Sequence, residues 1–296
     1  MVHRYHKPTF FVFGLLLLGI NLAGFFVSLR NPAIYGDKKL RDANDITLPA
    51  EELLRAAGRK QNETTEAYVV RLNEAVNKGI AYYWEDEGAE KYNLRVPAHE
   101  NYLLFLASYV QPRYYRKYEF SDQYKNLERG AGICSLHATV IATLLKDHGV
   151  NSRVILLNQH VVATAQVGEA PDRWWVVDPD LGVVVKHDIG EIEGDPNLIK
   201  PYYLERGYAQ EHVDHLARIY GREGNVVFNG AKEYMPWRLR YIEYASYVLK
   251  WVIPMMLIAP FALSYCSDNY RRSGDSARAF DQAGFAPHSP TVSSDQ

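Results

Sequence analysis

GAGICSLHATVIATLLKDHGVNSRVILLNQHVVATAQVGEAPDRWWVVDPDLG, residues 130–182, is the stretch whose pattern decides the fold. Gly130-Ala131-Gly132-Ile133 reads as a turn. Cys134-Ser135 then begins a helical run with Leu136, Val140, Ile141, Leu144 and Leu145 on one face. Gly149 falls where a left-handed C-cap is expected. Arg153–Leu157 has the apolar run of a buried strand. Two further strand patterns, His160–Val167 and Arg173–Asp178, flank a hairpin turn at Gly168–Asp172. Helix followed by three strands predicts an α+β domain, helices packed on an antiparallel sheet.

Three chemically active residues fall at the ends of these elements. Cys134 occupies the first turn of the helix, where unpaired N–H groups and the macrodipole favour a thiolate. His160 opens the second strand and Asp178 closes the third. A hairpin centred near residue 169 would place these two opposite each other. Asp178 would then hold the imidazole tautomer and leave the other ring nitrogen facing Cys134, in the order nucleophile, base, orienter. The backbone N–H of Cys134 is the natural oxyanion donor. Gln123 and Tyr124 lie upstream without a motif that assigns them a role.

Gly132-Ile133-Cys134, Ala138, Leu144-Leu145, Gly149-Val150, Ser152-Arg153-Val154, His160-Val161, Trp175 and Asp178-Pro179 together resemble the core signature of the transglutaminase-like superfamily. The resemblance covers residues 130–182 and implies a papain-like fold with Cys134 as nucleophile, His160 as base and Asp178 as its orienter. Ser135 stands where a tryptophan often follows the cysteine, and Val162 where an aromatic often follows the histidine. These departures point away from glutamine–lysine crosslinking and leave simpler thiol chemistry on a peptide or other amide. The rival expectation is a catalytically inactive, membrane-tethered interaction domain of the same fold.

Outward from this core, two apolar segments set the topology. Residues 10–29, FFVFGLLLLGINLAGFFVSL, carry no charge and match a bilayer core of about 30 Å. Their length exceeds a signal-peptide core, and no small-x-small cleavage site follows, so an uncleaved signal anchor is expected. Residues 245–265, ASYVLKWVIPMMLIAPFALSY, form the second expected span. Trp237, Tyr241, Tyr244, Tyr247 and Trp251 crowd one end as an aromatic belt would, and Pro254 and Pro260 are tolerated in membranes. The predicted order is a tail (1–9), a transmembrane helix (10–29), a transglutaminase-like domain (30–244), a second transmembrane helix (245–265) and a disordered polar tail (266–296). Lysine and arginine counts on the two sides of the spans do not decide orientation. The basic residues Arg4 and Lys7 before the first span favour an integral membrane protein with an extracytoplasmic domain.

Composition narrows the rest. The chain of 296 residues is 47% hydrophobic with a net charge of -2, so it can bury a core and has no field for nucleic acid. Two cysteines exclude a disulfide framework or a cysteine-rich zinc site, and no cofactor is expected. His137 makes C-x-x-H with Cys134 but lacks a second ligand pair. His212 and His215, beside Glu211 and Asp214, read as a solvated helix face. No metal site is expected. Membrane partner proteins are not specified by any motif.

Overall fold

The computed structural model describes residues 6–41, 44–169, 172–221 and 224–283. The chain divides into two compact units, Leu22–Val248 and the pair Met1–Asn21 with Leu249–Gln296.

In the larger unit, helices α2 (Ala50–Ala57) and α3 (Thr65–Gly79) come first, with α1 (His6–Ala23) preceding them in the chain. Thr64 caps α3 through a hydroxyl that accepts from Ala67 N–H, and Tyr68, Val69, Leu72 and Val76 form its buried face. Ile80 then leads into a short strand, β1 (Ala81–Tyr82). Small helices α4 (Gly88–Lys91), α5 (Ala98–Val110), α6 (Pro112–Tyr115) and α7 (Gln123–Arg129) lead to β2 (Ala131–Gly132), which pairs with β1 in parallel. Then follow α8 (Cys134–Asp147), β3 (Ser152–Leu156), β4 (Val161–Glu169) and β5 (Asp172–Asp178), the succession that the sequence predicts. The chain continues through β6 (Val183–Val185), α9 (Ile189–Gly194), α10 (Lys200–Arg206), α11 (Gln210–Tyr220), β7 (Val226–Phe228) and α12 (Ala231–Tyr234).

The main sheet is antiparallel, in the order β6-β5-β4-β3-β7. Strand alternation gives it two buried faces. Val154, Ala163, Ala165 and Val177 point to the layer of α2, α3 and α8. Ile155, Val162 and Val176 point to α9, α10 and α11. Trp174 and Trp175 also take opposite sides: Trp175 packs on the first core, and the Arg153 guanidinium stacks on Trp174 at 3.8 Å. The fold is therefore mixed helix and sheet with helices on both faces.

One buried arginine ties the start of this unit together. Arg30, 7% exposed, donates to the carbonyls of Leu127, Glu128, Gly79 and Leu48 and to the Tyr35 hydroxyl, at 2.7–3.0 Å. Three of those carbonyls close α3 and α7, where helix ends leave acceptors unpaired and partial negative charge collects. Gly130 terminates α7 with φ +69°, and a Cβ there would sit 2.4 Å from the guanidinium. No side chain fits that position. Arg30 is thus part of the domain interior rather than a charge flanking a span.

The second unit pairs α1 with the part of α13 (Trp237–Ala283) that follows Val248. Pro254 has no N–H for the Lys250 carbonyl four residues back. The Asn21 side-chain amide donates to that carbonyl instead, at 2.5 Å. Gly14 lets the helices close: a Cβ there would lie 3.0 Å from the Pro254 carbonyl oxygen and 2.8 Å from Ile258. Phe11 and Phe261 rings meet at 4.4 Å.

Three boundaries differ from the sequence expectation. Helix α1 stops at Ala23, before Gly24, and Leu29 is buried in the domain with Leu104, Tyr118 and Phe120. The apolar run 10–29 is thus partly domain core. Within α13, Trp237–Tyr265 is long and apolar enough to cross a membrane, while Pro8–Ala23 is a shorter apolar helix. Helix α13 also runs to Ala283, through much of the expected disordered tail; residues 284–296 lie outside the described set.

Replacing Arg30 with methionine leaves the buried Gly79 and Leu127 carbonyls and two part-buried ones without this donor, a cost of about 3 kcal/mol. Thermal unfolding of the full chain should fall by about 2–4 °C per kcal/mol. An unchanged melting temperature would contradict the role assigned to Arg30.

Candidate active site

Cys134 is the first residue of α8, after Ile133 in an extended N-cap conformation. The β1–β2 pair, Ala81 with Ala131 and Tyr82 with Gly132, anchors the loop that delivers it. His137 pins the same turn: its Nδ1 lies 3.0 Å from the Ile133 carbonyl and its Nε2 3.0 Å from the Ile80 carbonyl. Both nitrogens face backbone carbonyls, so whichever carries the proton ties the ring to one of them, between the helix start and the end of α3. The N–H groups of the first helical turn lack intrahelical acceptors, which suits them to an anionic sulfur or oxygen.

His160 sits in the tight link between β3 and β4, where Leu157 N–H donates to the His160 carbonyl at 2.9 Å. Gln159 before it adopts φ +71°, a left-handed conformation that a non-glycine residue rarely takes. The register of β4 and β5 pairs Ala163 with Val177 and Ala165 with Trp175, and shifts between Gln166 and Gly168. Continued by one residue, that register sets Val162 rather than His160 opposite Asp178. The hairpin is centred one residue later than the sequence suggests, because strands extend to Glu169 and from Asp172. Parity keeps His160 and Asp178 on one face as diagonal neighbours, and His160 Nε2 lies 2.8 Å from Asp178 Oδ2. Cys134 lies close enough to the same ring to raise its proton affinity. All three sequence-assigned residues are therefore brought together in the expected order.

Two residues without a sequence signal complete the chain. Tyr203 OH, on α10, donates to Asp178 Oδ2 at 2.7 Å, and its oxygen lies 2.9 Å from Tyr220 OH on α11. Leu181 N–H donates to Asp178 Oδ1 at 3.2 Å. Asp178, Tyr203 and Tyr220 are fully buried. These tyrosines come from helices outside residues 130–182, and no motif spacing links them to Asp178.

Electrostatics follow from that enclosure. Burial alone would raise the Asp178 carboxyl, but the adjacent His160 charge and the donors from His160, Tyr203 and Leu181 outweigh it and hold it below its ordinary value. Burial would lower the His160 imidazole, yet Asp178 and then Cys134 raise it well above 6.5. The geometry favours an imidazolium beside the Asp178 carboxylate. Around Cys134, burial and then the Glu119 and Cys134 charges push Tyr234 up to about 12. Burial, Asp180 and Cys134 raise Tyr82. Ser135 donates to Glu119 at 2.8 Å, and burial raises the Glu119 carboxyl despite that bond and nearby Arg129.

The other candidates resolve into structural roles. Gln123 donates its amide to Phe120 and Ser121 carbonyls and accepts from Thr139, so it braces the core. Tyr124 OH donates to Asp147 at the far end of α8. Asp180 pairs with Arg41 at 2.9 Å. Arg41, Asp45, Asp180 and Tyr208 help line a polar cleft of about 450 Å³, and Arg41 also covers the Tyr82 ring at 4.7 Å. A larger hollow of about 810 Å³, along α3, β6 and α10, contains no member of the triad. His212 and His215 are exposed on α11, and the described residues contain no cluster of metal-ligating side chains. No protein-family model, curated protein or solved structure matches the chain. The functional reading therefore rests on this geometry.

Linkage gives a pH test. The raised His160 contributes stability fully present below 6.5 and lost as pH rises through its folded value. The lowered Asp178 contributes stability present above 3.8 and lost as pH falls through its folded value. Thiol alkylation of Cys134 should be rapid at neutral pH, slow about tenfold or more in Asp178→Asn, and in His160→Ala rise only toward about pH 8.5. Tyr203→Phe removes a donor from the carboxylate, so the acid edge of the profile should move to higher pH. A wild-type profile that matches His160→Ala would contradict the ion pair.

Proposed function

We propose that this chain is a membrane-anchored, thiol-dependent amidohydrolase or acyltransferase of transglutaminase-like architecture, acting on a peptide or other amide. One observation carries the reading: His160 is hydrogen-bonded to Asp178 at 2.8 Å, and Cys134 at the start of α8 raises the proton affinity of the same ring. The Cys134 thiolate attacks the carbonyl carbon, forming a C–S bond and a tetrahedral oxyanion beside the N–H groups of the first turn of α8. Collapse breaks the C–N bond, and His160 gives its proton to the departing amine. Water or an amine then attacks the thioester, His160 takes its proton, and the C–S bond breaks to restore the thiolate. Asp178 keeps the ring oriented and its charged form favoured throughout.

Helix α1 and the apolar part of α13 serve in this reading as a two-span anchor. Charge-free packing at Gly14 and the Asn21 bond to the Lys250 carbonyl support their pairing in lipid. The domain is extracytoplasmic, with Arg4 and Lys7 held on the inner side. Arg30, being interior, is not a flanking charge.

Intact-protein mass spectrometry of the full chain in nanodiscs tests the chemistry. Activated esters and peptide amides should leave an acyl adduct on Cys134 that decays in water, is diverted by added primary amine, and fails to form in Cys134→Ser. A Cys134 that alkylates rapidly but acquires no acyl group from any of these would refute the enzyme reading.

A further inference from the structure

The two chain segments that connect the larger unit to the apolar helices converge on α5. Leu29, just after α1, packs with Leu104, Tyr118 and Phe120, and Tyr247 of α13 packs against the same cluster. Polar bonds fix that convergence. Glu243 accepts from Tyr118 OH and Ser121 N–H at 2.8 Å, and Glu100 accepts from Tyr247 OH at 2.5 Å. Asn101 interrupts α5 with extended φ/ψ, caps its second half by accepting from Leu103 and Leu104 N–H, and donates to Ser246 at 2.9 Å. The amphipathic half of α5 is thus locked to the first turns of α13.

The opposite face of that half-helix is apolar and exposed: Leu106 is 55% exposed, Tyr109 60%, Val110 79% and, on α6, Tyr114 53%. Phe25 and Phe26, in the segment leading to Leu29, are 72% and 89% exposed. Arg95 donates to the Tyr109 hydroxyl and its guanidinium covers that ring at 4.4 Å, while Arg113 lies 5.7 Å over Tyr114. Residues 103–117 contain three basic residues and no acidic one. Arg95 pairs with Glu90, and Arg116 and Lys117 with Asp86, which leaves Arg113 as the basic residue of this stretch outside those pairs. An apolar helical stripe and aromatic rings with cations beside them are the marks of a helix lying in the headgroup region of a bilayer.

We infer that the Leu106–Val110–Tyr114 face, with Phe25 and Phe26, is a membrane-surface docking face that beds the domain into the headgroup layer of its own membrane. The inference rests on α13 being embedded. Continuity with α13 favours lipid over another protein as the occupant, since the same clamp that fixes α5 includes the residues where α13 turns apolar. Docking would add a second attachment and hold the domain, with its thiol, at a fixed tilt against the bilayer.

Nitroxide accessibility of the full chain in liposomes containing anionic lipid tests this, using Cys134→Ser, Cys266→Ser protein with one added cysteine. Val110→Cys is the probe, Met256→Cys reports α13, and Leu204→Cys on α10 reports open solvent. Docking predicts that labels at 110 and 256 both favour oxygen over a water-soluble nickel chelate, and that the label at 204 shows the reverse. A label at 256 in lipid with 110 as chelate-accessible as 204 overturns the docking face alone. A label at 110 shielded from both relaxants also overturns it, in favour of a protein occupant. Labels at 110 and 256 both in water would remove the span and the docking face together.

Discussion

A carboxylate with no access to solvent constrains more of this molecule than any other group. Asp178 at the end of β5 can remain charged only if donors surround it, because an uncompensated buried anion costs several kcal/mol. Its partners come from four places in the chain: the β3–β4 link, the turn after β5, α10 and, through Tyr203, α11. The layer of helices over the second face of the sheet is therefore tied to the chemistry of the first. His160 inherits a raised proton affinity from the same carboxylate, and Cys134 meets that imidazole at the start of α8. Strain at Gln159, with its left-handed backbone, is tolerated at the point where the imidazole must be aimed.

A second buried charge, Arg30, organises the other end of the domain. It answers the unpaired carbonyls at the ends of α3 and α7 and fills the space that Gly130 leaves. Residues 130–134 then turn directly into α8, which starts at Cys134. The segment leaving α1 and the loop preceding Cys134 are thus built around one guanidinium.

Much of this was legible in residues 130–182 because regular elements there carry clear periods. The apolar face of α8, the buried run at Arg153–Leu157 and the alternation of Trp174 and Trp175 each specify an element, and the three polar residues fall at its ends. The two-residue difference in hairpin register, a shift of its centre by one, arose from strands that extend closer to the turn than Gly168 and Asp172 suggest, with an irregularity at Gln166. Tyr203 and Tyr220 carried no signal, since their contact with Asp178 depends on how α10 and α11 pack across the sheet. Leu29 was misplaced for a different reason: an apolar residue reads alike whether lipid or protein covers it. Arg30 at the edge of an apolar run likewise reads as a membrane flank until its five acceptors are seen.

The most direct test of the central claim is a titration of thiolate ultraviolet absorbance in the full chain, with Cys134→Ser subtracted. A sulfur coupled to a charged His160 predicts that the wild-type thiolate absorbance and that of His160→Ala titrate differently. A single rise centred near about pH 8.5, identical in His160→Ala, would show an ordinary thiol and contradict the account.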